Sequence, residues 1–351
     1  MSLRAIHGGL LICGLASLFS LYGGFMEKPF KTYRQQLNIL RSRGLTINNG
    51  SKAIKILKTN GYYNIINGYK DIFLDITLTQ QHGNDRYKAN TTFENIFALY
   101  DFDRSIRNIL LKYILIMETS LKTKIAYFFS EAYNKDFNYL DVNNYDNTDP
   151  KIAAKLINDL TNVIKNNTNP NPQGAKFYHY LDKHKELPLW VLATKMTLGN
   201  TIHFYNGMKM KEKLKVIEDI TTTFEKEHNM HISISRNDQE SFISNMFSII
   251  NILRNTCAHE ERLYNIVCKN NNKSLKIALF HKTTPRPFQA KLFDGILILG
   301  LFISRKEYKC LIISIEYEIR NLQKQLPQNI FNQVLINMGF PKNWKSEILL
   351  P

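Results

Sequence analysis

Arg254-Asn255-Thr256-Cys257-Ala258-His259 follows directly on a predicted amphipathic helix that runs from Ser241 to Leu253. Apolar side chains recur in that helix at steps of three and four residues, the pattern of one buried face: Phe242, Met246, Ile249, Ile250 and Leu253. Asn255, His259 and Arg262 then share a face, because they lie one and two turns apart. Arg254 is about 100° from Asn255 around the axis at roughly 3.6 residues per turn. If the helix continues, Arg254 and His259 can flank one cleft.

A guanidinium beside an imidazole suits the cleavage of a phosphodiester. The side chain of Arg254 stays charged and can hold phosphate oxygens, whereas the side chain of His259 can move a proton near neutral pH. The plainer interpretation is a surface arginine and a capping histidine near a helix C-terminus, where the helix dipole favours cations. Both interpretations stay open on these six residues.

The stretch from Ile252 to His259, followed by Arg262-Leu263-Tyr264-Asn265, resembles the abortive-infection (Abi) family of the AbiD/AbiF type. Its Arg-Asn-x-x-x-His core is similar to the Arg-x4-6-His motif of HEPN ribonucleases. Further elements of the resemblance follow in order along residues 28–345, and they are Lys28-Pro29-Phe30, Tyr100 to Arg107, Glu118 to Ile125, Pro188-Leu189-Trp190 and Met338-Gly339-Phe340-Pro341-x-x-Trp344.

The resemblance implies an all-α, HEPN-like helical bundle with a basic N-terminal helical segment. It implies a metal-independent endoribonuclease, used as an anti-phage toxin, that leaves 2′,3′-cyclic phosphate and 5′-OH ends. Arg254 and His259 would be catalytic, and Asn255 would orient the phosphate or His259. Glu118 and Arg262 would support them. The implied partners are an RNA substrate, a small non-coding RNA that restrains the toxin, and a second copy of the chain in a homodimer.

Composition favours a polyanionic partner. The 351 residues include 46 Lys plus Arg against 30 Asp plus Glu, a formal charge of +16. Solubility alone is the simpler explanation of that charge. The four cysteines show no CxxC spacing, and no metal-binding or phosphate-loop motif occurs, so no metal site and no cofactor are predicted.

Basic side chains concentrate in residues 27–71, where tyrosines are interleaved with them. Single-stranded RNA is bound by such surfaces, because bases stack on aromatic rings while phosphates pair with cations. The alternative is that the tyrosines are buried and the lysines form a solvated face. Seven residues, counting three from the predicted long helix, are expected to bind RNA: Arg41, Arg43, Lys55, Lys58, Arg104, Arg107 and Lys122.

The apolar run from Gly8 to Phe25 contains no charged side chain. At about 18 residues it is a marginal membrane span. It is a signal peptide, an anchor, or sequence upstream of a natural start at Met26, and the family-like pattern that begins just after Met26 favours the last. We therefore expect a cytoplasmic protein with no membrane partner, unless residues 1–25 are translated and act as an anchor.

Four segments are predicted, and they are a leader at 1–25, the basic helical segment at 26–90, a helical core at 91–270 with an Asn-rich insert at 134–176, and a C-terminal helical segment at 271–351. Residues 93–133 are predicted to form one or two long helices, with Arg104, Arg107, Glu118 and Lys122 away from the apolar face. Trp190 is predicted to be buried. Two other functions remain open: an RNA-binding protein that uses the same cleft without cutting, and a membrane-anchored interaction protein.

Overall fold

The computed structural model describes residues 29–169, 174–229, 238–268 and 288–348. The leader at 1–25 and the start at Met26 lie outside the described residues. The described residues fall into two compact units, one made of residues 29–62 with 75–92 and the other of residues 63–74 with those from 93 onward. Residues 63–74 belong to the larger unit, so the smaller unit is made of two separate stretches of the chain.

The smaller unit contains three α-helices, α1 (Tyr33–Ser42), α2 (Gly50–Asn60) and α3 (Ile76–His82). Thr32 begins α1 with a capping box, and Asn49 and Asp75 cap the other two. Gly44 and Gly61 follow α1 and α2 with φ of 90° and 80°, a region that glycine adopts without strain. Both glycines lie just after the ends of their helices.

The larger unit is built around α4 (Phe93–Ala132), a single helix of 40 residues. The other α-helices of this unit, in chain order, are α5 (Pro150–Asn167), α6 (Ala175–His179), α7 (Leu189–Leu192), α8 (Leu198–Gly207), α9 (Met210–His228), α10 (Gln239–Ala258), α11 (Leu292–Gly300), α12 (Arg305–Gln323) and α13 (Gln328–Met338). Short 3-10 or π turns lie at Tyr63–Asn67, Asp71–Phe73, Asn138–Leu140, Val142–Asn144, Tyr180–His184, Ala193–Lys195 and Trp344–Glu347.

Helix α4 contacts α9, α10 and α12, so its apolar residues form the centre of this unit. Ile96, Ile106, Leu110 and Ile114 on α4 have no exposed surface. Helix α11 is buried along its whole length and packs on α10. Gly295 permits that approach, because a Cβ at this position would overlap the side chain of Leu253.

The predicted all-α fold is confirmed: the described parts of the chain contain helices and two isolated bridges, and no β-strand. The packing of long helices on α4 agrees with the expected bundle. Within the ranges that the structure covers, every helix is too short or too polar to cross a membrane.

Candidate functional site

The motif lies at the C-terminal end of α10, which continues past Leu253 to Ala258. The helix continues because the buried face does: Thr256 and Cys257 are each only 5% exposed. His259 caps the helix, and its backbone N–H donates to the carbonyl of Asn255 at 2.9 Å. Glu260 follows with a φ of 56°, so the chain turns sharply here. Asn255 and His259 are therefore exposed one turn apart, as their spacing predicted.

Arg254 belongs to a cluster of charged side chains, Glu118, Lys122 and Arg254, that we call the Glu118 cluster. Nζ of Lys122 donates to Oε1 of Glu118 at 2.7 Å, and Nε of Arg254 lies 3.9 Å from Oε2. Glu118 is only 5% exposed. Burial makes the carboxylate dependent on its two cations, because an isolated charge is costly in a medium of low polarity. Nη1 of Arg254 also donates to Oδ1 of Asn255 at 3.4 Å.

His259 lines a polar cleft of about 490 Å³, here called the His259 cleft. Arg262 also lines it, donating from Nη1 to the carbonyl of Gly68 at 2.8 Å and to Asp71 at 3.1 Å. The cleft is completed by Tyr63, Asn64, Asn67, Tyr69, Tyr100, Arg107, Glu260 and Glu261. Arg254 is not among the described residues that line it. The structure therefore places His259 with Arg262 in one cleft and Arg254 with Glu118 beside it.

A buried network holds the segment that follows α10. Oδ2 of Asp103 accepts hydrogen bonds from the hydroxyl of Tyr69 at 2.6 Å, from Arg107 at 2.5 Å and from the backbone N–H of Leu263 at 3.0 Å. Arg107 also donates to the carbonyl of Glu261 at 3.3 Å. Burial raises the pKa of Tyr69 well above its usual range, so the phenol keeps its proton and remains a donor. This network fixes the backbone between His259 and Tyr264.

Sequence reasoning did not identify the roles of Tyr69 and Asp103. The spacing of Asp103 and Arg107, four residues apart on one helix, was the available signal. Their contacts with Glu261 and Leu263 are 154 and 160 residues away in the chain, and no local pattern reports them.

Three expectations about exposure are wrong. Arg107 and Glu118 were expected away from the apolar face, but they are only 3% and 5% exposed, because each is enclosed with a partner of opposite charge. Trp190 was expected to be buried and is 59% exposed. Its neighbours Leu189, Val191 and Leu192 occupy the inward positions of the four-residue helix α7.

The remaining predicted RNA-binding residues lie at or near the surface of their own units. Arg41, Lys55 and Lys58 are exposed, and Nζ of Lys58 lies 5.9 Å from the ring centre of Tyr33. Arg43 instead pairs with Asp85 at 2.9 Å. Arg104, on α4, is exposed and pairs with Asp101 at 2.5 Å. Tyr63 is 75% exposed whereas Tyr69 is 3% exposed, so both interpretations of the interleaved tyrosines hold, for different residues.

Burial raises the pKa of Cys257, inside the motif, to about 12, so its thiol is neutral at ordinary pH. A neutral thiol is a poor nucleophile, so Cys257 is not a candidate catalytic nucleophile. No group of three or more metal-ligating side chains occurs among the residues that the structure places.

Comparison with the curated proteins and with the solved structures returns no match. A family model described as "Abi-like protein" matches residues 55–265, which is more than half of the chain and includes α4, α10 and the motif. The chain therefore belongs to the Abi-like protein family, and this membership indicates a role in abortive-infection defence.

Proposed function

We propose that this protein is a metal-independent endoribonuclease toxin, and that it cuts RNA at the exposed end of α10. One observation carries the proposal: Asn255 and His259 are exposed one helical turn apart, and Arg254 beside Asn255 is paired with a buried carboxylate. The guanidinium contacts Asn255 at 3.4 Å, and Asn255 lies one turn before His259. Anchoring by Glu118 limits the positions that the guanidinium can take, which is how a phosphate-binding group is preorganised.

The proposed reaction needs no group outside the RNA as nucleophile. The 2′-oxygen of one ribose attacks the adjacent phosphorus, the 2′-hydroxyl loses its proton, and the P–O5′ bond breaks. The departing 5′-oxygen takes up a proton, so the products are a 2′,3′-cyclic phosphate and a 5′-hydroxyl. His259 performs one of the two proton transfers. Arg254 stabilises the charge that builds on the phosphorane oxygens, and Asn255 orients the phosphate or the imidazole.

A single histidine supplies half of the acid–base chemistry. A homodimer that brings two copies of the motif together would supply the second proton transfer from His259 of the other copy. The exposed positions of Asn255 and His259 are compatible with this arrangement.

Restraint of the toxin by a bound small RNA is part of the proposal. Its support is the net charge of +16 and the exposed cations Arg41, Lys55 and Lys58 of the smaller unit. Counterion release makes such binding strong at low salt and weak at high salt.

A second candidate is an RNA-binding protein that does not cut. The observation in its favour is that Arg254 lies outside the lining of the His259 cleft. Arg107 and Arg262, which do line it, are each paired with a carboxylate, Asp103 and Asp71.

His259→Ala separates the two candidates. In the enzyme, this change lowers the cleavage rate by roughly 10²–10⁴-fold, the usual contribution of a general acid or base, and leaves RNA affinity nearly unchanged. His82→Ala is the matched control, since His82 is also an exposed histidine at a helix C-terminus. Cleavage should persist in EDTA, and the RNA ends should carry cyclic phosphates. Undiminished cutting by His259→Ala, or its abolition by EDTA, would contradict the proposal.

A further inference from the structure

An apolar groove of about 660 Å³ lies between the second half of α4 and α7. Two large aromatic side chains line it and are open to solvent: Tyr127 is 62% exposed and Trp190 is 59% exposed. Its other lining residues are small or polar and include Thr119, Lys122, Thr123 and Thr194, together with Glu131, which is paired with Lys215 at 2.7 Å. Single exposed aromatic residues are common on protein surfaces, but two that line one groove mark a binding surface.

The exposure of Trp190 results from local structure. Pro188 precedes α7, and Leu189, Val191 and Leu192 are all at most 3% exposed. These three buried residues fix the backbone, which leaves the indole of Trp190 at the surface. An indole has only two side-chain torsions, so on a fixed backbone it loses little conformational entropy when a flat ligand stacks on it.

The groove shares Lys122 with the Glu118 cluster. Lys122 lines the groove and donates to Glu118 at 2.7 Å, and the other oxygen of Glu118 lies 3.9 Å from Arg254. Two cations share one carboxylate, so the cluster carries a net positive charge next to the aromatic rings. Lys195, which directly follows the lining residue Thr194, is also exposed.

We propose that this groove binds the bases of a single-stranded RNA whose phosphates lie on Lys122 and Arg254. Aromatic rings beside cations are the arrangement that binds single strands, since every base has a flat face and every phosphate a negative charge. An apolar protein segment would match the rings but not the cations. This inference rests on the proposed function, since it names where the substrate strand lies next to Arg254.

Intrinsic fluorescence gives a direct test, because the chain has only two tryptophans. Trp344 is 7% exposed and packs on Phe340, so Trp344→Phe keeps an aromatic ring there and leaves Trp190 as the reporter. The probe is a 2′-O-methyl oligonucleotide, which cannot be cleaved because its 2′-oxygen is blocked. An abasic oligonucleotide of the same length carries the same phosphates without bases. If the Trp344→Phe protein does not fold, the wild-type protein is titrated instead, since its buried Trp344 contributes a constant fluorescence signal.

We expect saturable quenching of Trp190 by the oligonucleotide with bases and little by the abasic one. Trp190→Ala should weaken binding by roughly 10-fold to 100-fold, the range for loss of one stacked base. Tyr127→Ala should act in the same direction, whereas Tyr317→Ala, which removes an equally exposed tyrosine from α12, should have no effect.

Equal affinities for the two oligonucleotides, or a change of oligomeric state in Trp190→Ala without loss of RNA affinity, would overturn the inference; the second result would make the groove an interface between copies. Because the probe cannot be cut, quenching without any cleavage of ordinary RNA would refute the proposed enzyme and leave the base site standing. Cleavage of ordinary RNA without quenching of Trp190 would refute the base site and leave the proposed enzyme standing.

Discussion

Glu118 and Arg254 come from different helices and meet with the carboxylate buried, Oε2 of Glu118 lying 3.9 Å from Nε of Arg254. Neither of these two atoms has a hydrogen-bond partner among the described residues, so at this separation the pairing is electrostatic. Glu118 thus positions the arginine of the motif while Lys122 completes the neutralisation of its charge.

Glu118→Gln is therefore expected to separate rate from affinity. Without the carboxylate, Arg254 is no longer held in one place, and cleavage should slow by roughly 10-fold to 100-fold, the size associated with small misplacements of a catalytic group. RNA affinity should stay the same or rise, because one negative charge beside the phosphate site is lost. Cleavage rates and binding constants measured on one RNA check this.

The matched control for that change is Glu316→Gln. Glu316 on α12 also lies between an arginine and a lysine, Arg320 and Lys345, so the same charge is lost in a similar setting. Glu316→Gln should leave both the cleavage rate and the RNA affinity unchanged. A parallel fall of rate and affinity in Glu118→Gln would mean that the carboxylate supports the fold rather than Arg254.

Arg254→Ala should lower both cleavage and RNA affinity, since its charge acts on bound phosphate and on the transition state. Loss of such a group costs roughly 10²–10³-fold in rate. Arg254→Lys should recover affinity better than rate, because an ammonium cannot make the two-pronged contact of a guanidinium. The same pair of changes at Arg320, exposed on α12, is the control. Full recovery of the rate by lysine would contradict the role given to the guanidinium.

Asp103→Asn should destabilise the protein. The change leaves Arg107 buried without its counter-charge, and breaking a buried pair costs about 3–5 kcal/mol in the free energy of unfolding. Asp101→Asn, two residues away on α4, removes the partner of Arg104 in an exposed pair and should cost less than about 1 kcal/mol. Urea denaturation of both variants measures the difference. Similar losses from the two changes would show that the network does not hold the segment after α10.

Replacing Arg41, Lys55 and Lys58 together with alanine should weaken the binding of a co-purifying RNA. Each lost phosphate contact on a single strand changes the slope of log affinity against log salt by about 0.7, so the slope should become less negative by about 2. Lys306, Lys309 and Lys324, exposed on or just after α12, provide a control with the same loss of charge. Identical slopes for the two triple variants would count against the smaller unit as the RNA-binding surface.

Much of the helical architecture could be predicted from local spacing. The apolar periodicity of residues 93–133 corresponds to the single helix α4. The end of α10 was placed at Leu253 because the motif is polar, yet the small side chains of Thr256 and Cys257 continue its buried face. The spacing of apolar residues thus identifies helices better than it identifies their ends.

The candidate site could be predicted in part. The motif and Glu118 came from resemblance, and the structure places Glu118 beside Arg254. The buried network around Asp103 depends on contacts between segments that are distant in the chain. Neither composition nor the spacing of apolar residues reports such contacts. Trp190 was misjudged because residue type favours burial for an indole, whereas α7 gives its inward positions to smaller apolar neighbours.

Helix α4 fixes the distance between two surfaces described above. It contains neither proline nor glycine, the residues that most often kink a helix. The same helix carries Arg107 of the His259 cleft and Tyr127 of the apolar groove. Twenty positions separate these two residues, a rise of about 30 Å at 1.5 Å per residue. A strand that touches both places would have the length of its footprint set by this spacing. Inserting one full turn into α4 would lengthen that footprint, whereas inserting half a turn would rotate the groove away from the cleft.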